Sequence, residues 1–291
     1  MNAQTFYKLL TADWKHTNGF QYVLGRNEQG SVANGFLLLP LESFAKFLRR
    51  TMHIPYTTVC ELVLTENSTI VEKKYTDTCV LQNPMPIADF IDLHGLADRV
   101  LRRNGLAIRY LKNPTISQYE CAVKQNGLAL QYVDAQTDAL CFLAFLQNRC
   151  SFRFVKNISQ TLCFAAIAIN SSVLRFIPEE FQTYDLCLLA IHKNVGALRY
   201  IKNQLPILCK ISVLRDGGSL KFVRNKTEEM CSLALAKNAG ALKYIPNPTE
   251  SMIETALKKD GMTLKFVKNP TDAQRLIAFT QNKEAARFAK I

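Results

Sequence analysis

The side chains best suited to chemistry in this chain are nine cysteines and four histidines, and their spacing argues against most of what such residues do. Cys141, Cys163, Cys187, Cys209 and Cys231 recur at intervals of 22 or 24 residues. Helices stacked on that period hold neighbouring thiols about 10 Å apart, whereas a disulfide needs Cα atoms about 5.5 Å apart. No Cys-x-x-Cys pair occurs, and an odd thiol count fits reduced cysteines packed as small core residues. His16, His53, His94 and His192 lack the His-x-x-x-His spacing of a metal site. A Cys60/His53 nucleophile pair is conceivable, yet Cys60 sits in an apolar strand pattern. Asp216-Gly-Gly218 sits where a helix ends and is not a phosphate loop. No catalytic residue, metal site or cofactor is expected.

The constellation that does stand out is one of charge. Arg109, Arg153, Arg175, Arg199, Lys221, Lys243, Lys265 and Arg287 occupy one repeated position, with Gln131 the exception. Each is followed by an aromatic residue, from Tyr110 to Phe288, expected to fill the core. Three residues further on stand Lys112, Lys156, Lys202, Arg224, Lys268 and Lys290. At about 10 Å per repeat each charge lies about one Debye length from the next, so self-repulsion is modest while a long polyanion feels the whole column. A solvated face copied from repeat to repeat gives the same column without any binding role. Basic stems also cover apolar surface.

The elements that must position this column follow from the repeat. Ala97, Tyr119, Cys141, Cys163, Cys187, Cys209, Cys231, Ile253 and Arg275 mark units of 22 residues, with Glu179-Glu180 as the insertion in the one unit of 24. Thr115, Thr137, Ser159, Thr183, Thr227, Thr249 and Thr271 suit a helix N-cap, and Leu205 departs from the pattern but precedes Pro206. Met230, Cys231, Ala234 and Leu235 trace one helical face, and Asn238 with Gly240 predicts the helix stop. The second segment, such as Ala241-Leu-Lys-Tyr-Ile-Pro246, reads as a short helix or a short strand. Flanking Ala and Ser, and the absence of a leucine-rich ladder, favour the helix.

Residues 1–96 show no repeat. Phe20–Gly25, Gly35–Leu39, Thr58–Leu64 and Thr69–Glu72 predict strands, Leu41–Met52 a helix, and Pro84-Met-Pro86 a break before a linking helix from Ile87. The expected fold is therefore α+β: a small N-terminal α+β cap over residues 1–96, then an all-α solenoid of helical pairs over residues 97–291. Residues 1–96 carry a charge of −1 and residues 97–291 carry +13, so the whole excess of the +12 chain lies in the repeats. The first residues lack a basic region followed by an apolar one, and no apolar run approaches the ~20 residues of a membrane helix. An intracellular protein is expected, with no membrane insertion.

Cys121-Ala-Val-Lys-Gln-Asn-Gly-Leu-Ala-Leu-Gln-Tyr-Val133 and Ala241–Pro246 resemble an uncharacterised tandem-repeat family of Ala-Val-x-x-Asn-Gly-x-Ala-Leu-x-Tyr type, common in giant DNA viruses, protists and some bacteria. The resemblance implies an all-α solenoid and no catalytic residues. The order Phe6-Tyr-Lys8, Asn18–Tyr22, Gly35–Leu39 and Cys60–Val63 resembles an N-terminal module of giant-virus repeat proteins, distantly similar to the ADP-ribosyltransferase fold. That analogy wants a His or Arg on the first strand and a late acid, where this chain has Tyr7, Lys8 and Glu72. The expected function is a non-enzymatic scaffold binding a protein or other acidic partner through the basic column, viral and acting in the host cell or virion. The alternatives are nucleic-acid binding by the same column and, last, transferase activity of the cap.

Overall fold

The computed structural model describes residues 5–14, 22–28, 36–37, 39–50, 56–64, 70–71, 75–76 and 78–288. The chain forms two compact units, Met1–Asn157 and Ile158–Ile291. The sequence boundary at residue 96 marks where the repeats begin, and within the first unit one apolar core runs across it.

In that unit β1 (Phe6–Thr11), β2 (Gly25–Glu28), β4 (Leu39–Pro40), β5 (Tyr56–Val63) and β8 (Thr78–Pro86) form an antiparallel sheet in the order β2-β8-β5-β1-β4. Short strands β3 (Phe36–Leu37), β6 (Ile70–Val71) and β7 (Tyr75–Thr76) form a second sheet. Alternation along β1 assigns its two faces: Tyr7 and Leu9 join one core cluster, Phe6 and Leu10 the other. The first face packs on Phe44 and Leu48 of α1 (Phe44–Arg50) and on Ile87, Phe90 and Ile91 of α2 (Ile87–Leu93). The same cluster continues through Val100, Leu101, Ile108, Ala122 and Ala129 into the first repeats.

Two sequence expectations need correction here. Tyr22 to Leu24 is not strand, and the pairing begins at Gly25. Pro84 and Pro86 do not break the chain before α2 but lie inside β8. The pairing of β8 with β2 ends at Leu81, so beyond it that edge needs no amide donors, and proline is tolerated on such an edge. His16, His53, Glu72 and Lys290 lie outside the described residues.

The repeats supply α3 (Ala97–Arg103), α4 (Ile116–Gln125) and α5 (Asp138–Gln147) to the first unit. The second unit holds α6 (Gln160–Ile169), α7 (Tyr184–Lys193), α8 (Pro206–Arg215), α9 (Glu228–Lys237), α10 (Glu250–Lys259) and α11 (Asp272–Gln281). Each is followed by a six-residue 3-10 helix, from Gly105–Tyr110 to Lys283–Phe288, so the strand alternative for the second segment falls. Glu179-Glu180 forms an additional 3-10 turn, Glu179–Phe181, which accommodates the longer unit.

Local chemistry explains the alternation. From α4 onward, the expected Thr or Ser accepts a bond from the third helical amide, except at α8, where Leu205 caps nothing and Pro206 takes the first position. The helix stop differs from the glycine mechanism expected for Asn238 and Gly240. Asn238 is extended (φ −147°), its amide closes the helix on Ala234, and its Oδ1 accepts from Gly240 N–H at 2.9 Å. That side-chain bond starts the next helix directly, so no left-handed residue is used. Glycine matters one position earlier, where a Cβ on Gly217 would run into the Ala234 carbonyl of the next helix.

Candidate partner-binding column

A 3-10 helix has three residues per turn, so positions three apart share a face. In Ala239–Tyr244 and the residue after it, Ala239, Leu242 and Ile245 are buried, while Lys243 is exposed and Tyr244 is half-buried. This register recurs in the second unit. Leu174, Leu198, Leu220 and Leu264 are buried, and Arg175, Arg199, Lys221 and Lys265 beside them are exposed.

Tyr110 is buried as expected, and the aromatic residues of the second unit depart in part from the expected core role. Phe176, Tyr200, Phe222, Tyr244, Phe266 and Phe288 are only half-buried and serve as platforms for the cations. Arg175 lies 4.4 Å from the Phe176 ring centroid and Lys221 4.7 Å from Phe222. Arg199 lies over two rings, 5.6 Å from its neighbour Tyr200 and 4.2 Å from Phe222 of the following repeat. Lys243 bridges Tyr244 and Phe266 at 4.9 and 5.7 Å, and Lys265 bridges Phe266 and Phe288 at 5.1 and 5.9 Å. Cation and ring quadrupole attract at these distances, which fixes each charge without neutralising it.

Among the described residues, Arg175, Arg199, Lys221, Lys243 and Lys265 form no ion pair with a carboxylate, while Arg287 pairs with Glu284 at 2.6 Å. In the first unit the column is interrupted. Arg109 is half-buried and donates to the Tyr110 hydroxyl at 2.5 Å, Gln131 donates to the Leu128 carbonyl, and Arg153 stands exposed over Phe154 at 4.6 Å.

Three residues of the second basic series, Lys112, Lys156 and Arg224, are engaged in structure. Lys112 pairs with Asp89, and Lys156 with Asp134 at 2.7 Å. Arg224 donates to the Lys202 and Ile201 carbonyls of the preceding repeat at 2.5 and 3.0 Å. Sequence reasoning missed the glutamines that join successive repeats. Gln204 donates to the Leu198 carbonyl at 2.9 Å and the Phe222 carbonyl at 3.0 Å, and accepts from the Arg224 amide at 3.0 Å. Gln136 and Gln182 do the same in their repeats. Their recurrence just before the N-cap was the available signal.

All nine cysteines are free thiols, and the five of the repeated column are buried. Burial pushes the Cys141 and Cys187 thiols up to about 11, against activation as nucleophiles. In the cap, Cys60 is buried and also raised to about 11, while Tyr7 packs edge-on against Phe90 at 4.8 Å. Among the described residues no cluster of His, Cys, Asp or Glu has the makings of a metal site, and no helix is long and apolar enough to cross a membrane. No protein family, curated protein or solved structure matches the chain.

Proposed function

We propose that this is a non-enzymatic interaction protein in which an α-solenoid of helix and 3-10 units presents the basic column to an acidic protein partner. The observation that carries this reading is the run Arg175, Arg199, Lys221, Lys243 and Lys265, exposed, held over aromatic rings and without carboxylate partners among the described residues. These cations stand over aromatic rings, whereas some others in the chain stand against acids, as Lys210 does with Glu229 at 2.6 Å. In this reading the protein is viral and works in the host cell or the particle, as the resemblance of its repeat motif implies.

Nucleic acid is the second reading, favoured by the +13 balance of residues 97–291. It predicts retention on DNA with a steep salt dependence. The test is the binding of fluorescent polyglutamate to the full chain and to the variant Arg199→Glu, Lys221→Glu, Lys243→Glu, with circular dichroism to check folding. Binding lost in the folded variant supports the column, and unchanged binding removes it.

A further inference from the structure

The α-helices of the second unit carry a second surface, independent of the basic column, which stands on the 3-10 segments. From α6 to α9 the residues one before the cysteine position, at it, and three and four after it are buried, as with Leu162, Cys163, Ala166 and Ile167. The outward stripe of each helix is therefore made by the residues two before and one, two and five after. Where other helices meet solvent, charge fills this stripe. Glu120–Lys124 in α4 and Glu254–Lys258 in α10 are ion pairs at its positions one and five, both at 3.2 Å. At the same two positions α6 has Phe164 and Ala168, α7 has Leu188 and His192, and α8 has Lys210 and Leu214. Helix α6 holds no charged residue at all. Phe164, Ile207 and Leu214 are 36%, 49% and 41% exposed, and α6 packs on α7 and α7 on α8, so these side chains share one apolar face.

The charged margins of the face select its occupant. Helix α7 begins with Asp185 and ends with His192 and Lys193, while α9 begins with Glu228 and Glu229 and ends with Lys237. That placement suits each helix's own dipole. It also gives the face one acidic margin and, across the apolar stripes, one basic margin. Among the described residues Asp185, Lys193, Glu228 and Lys237 form no ion pair. A surface of this kind complements itself when a second copy is turned end for end.

We infer that the α6–α8 face docks on the same face of a second copy about a two-fold axis running across the helices, each helix near-antiparallel to its own counterpart. The position two before the cysteine in one copy then opposes the position five after it in the other. Asp185 of one copy meets His192 and Lys193 of the other, Ile207 meets Leu214, and Phe164 lies over the small Ala165. A two-fold axis along the helices would instead set acidic margin on acidic margin, and like charges repel. Three ten-residue helices, each about 15 Å long and about 10 Å from the next, give a face of about 450 Å² in plan. A standard interface takes about 800 Å² of accessible surface from each partner, so this dimer belongs to the small, concentration-dependent class.

Sedimentation equilibrium of the full chain from about 5 to about 200 µM is expected to show a reversible monomer–dimer equilibrium. The variant Phe164→Lys, Leu214→Lys, shown to be folded by circular dichroism, should dimerise at least about tenfold more weakly. Asp185→Lys and Lys193→Glu should each weaken the dimer when alone, because each sets like charges together. Mixed in equal amounts the two should recover it as a heterodimer, seen by native mass spectrometry, since each supplies the charge the other has lost. A chain that stays monomeric over the whole range overturns the proposal, and its binding to lipid vesicles through Phe164 and Leu214 would assign the face to lipid instead. A dimer indifferent to the folded Phe164→Lys, Leu214→Lys variant overturns it too. So does a mixture that recovers nothing after both reversals have weakened the dimer, because only the antiparallel arrangement brings Asp185 and Lys193 together.

Discussion

The Arg199 guanidinium lies 4.2 Å from the ring of Phe222, a residue of the following repeat, and 5.6 Å from the ring of its own neighbour Tyr200. One side chain therefore links two repeats and presents a charge at the same time. Lys243 and Lys265 repeat the arrangement.

This coupling is measurable as stability. Arg199→Ala is expected to cost about 0.5–1 kcal/mol, the value of an exposed cation–π contact. In a Phe222→Leu background, which keeps apolar volume and removes that ring, the same change should cost less, because only the Tyr200 contact and the bond to the Gly196 carbonyl remain to be lost. A urea-denaturation double-mutant cycle measures the difference, and a coupling of zero would show that the contact contributes nothing.

The capping pattern makes a prediction of opposite signs. Thr227 accepts the Met230 amide at 3.3 Å, so Thr227→Ala is expected to destabilise by about 1 kcal/mol. Leu205 fills the same slot with extended backbone (φ −60°, ψ 138°) and no cap bond. Leu205→Thr should therefore stabilise by up to about 1 kcal/mol, read as a shift in the denaturation midpoint.

Gln204 makes one bond within its own repeat and two to the next, and Gln204→Ala leaves two carbonyls and an amide without that partner. A loss of about 1–3 kcal/mol is expected. Gln204→Glu restores the volume but turns a carboxylate toward the Leu198 and Phe222 carbonyls. It should be as damaging as Ala at neutral pH and partly recover as pH falls through about 4.

The cap should show a pH signature above neutrality. Burial pushes the Cys60 and Cys79 thiols up to about 11 and about 12, and lowers the Lys8 amine to about 8. The unfolded thiols lose protons near 9 while the folded ones keep them, so their contribution is complete below 9 and declines as pH rises toward 11. Lys8 acts the other way. Burying its charge costs stability below about 8, and the cost fades as pH approaches 10.5. Lys8→Met should accordingly raise the melting temperature at pH 7 by more than at pH 10. Thiol labelling of the native chain at pH 8 should reach exposed Cys150 first and buried Cys60 and Cys79 only on unfolding.

The 22-residue period, the Thr/Ser caps and the placement of the cations were legible in the sequence because each depends on contacts within one repeat. A threonine finds its amide three residues away, and a Leu–cation–aromatic run fixes a local order of buried and exposed side chains. Tyr110 fills the core as expected, but the aromatic residues of the second unit misled because burial depends on the neighbouring repeat. Phe222 is half-buried under Arg199, a residue 23 positions earlier. The glutamine bridges were hidden for the same reason, since Gln204 bonds Phe222 across 18 residues. Strand β8 was missed because Pro84 and Pro86 read locally as a break, and it is the open edge beyond Leu81 that lets the strand continue. Composition and period determined how often the charge recurs, whereas tertiary packing decided what it stands on: a ring from its own repeat and, for Arg199, Lys243 and Lys265, another from the next.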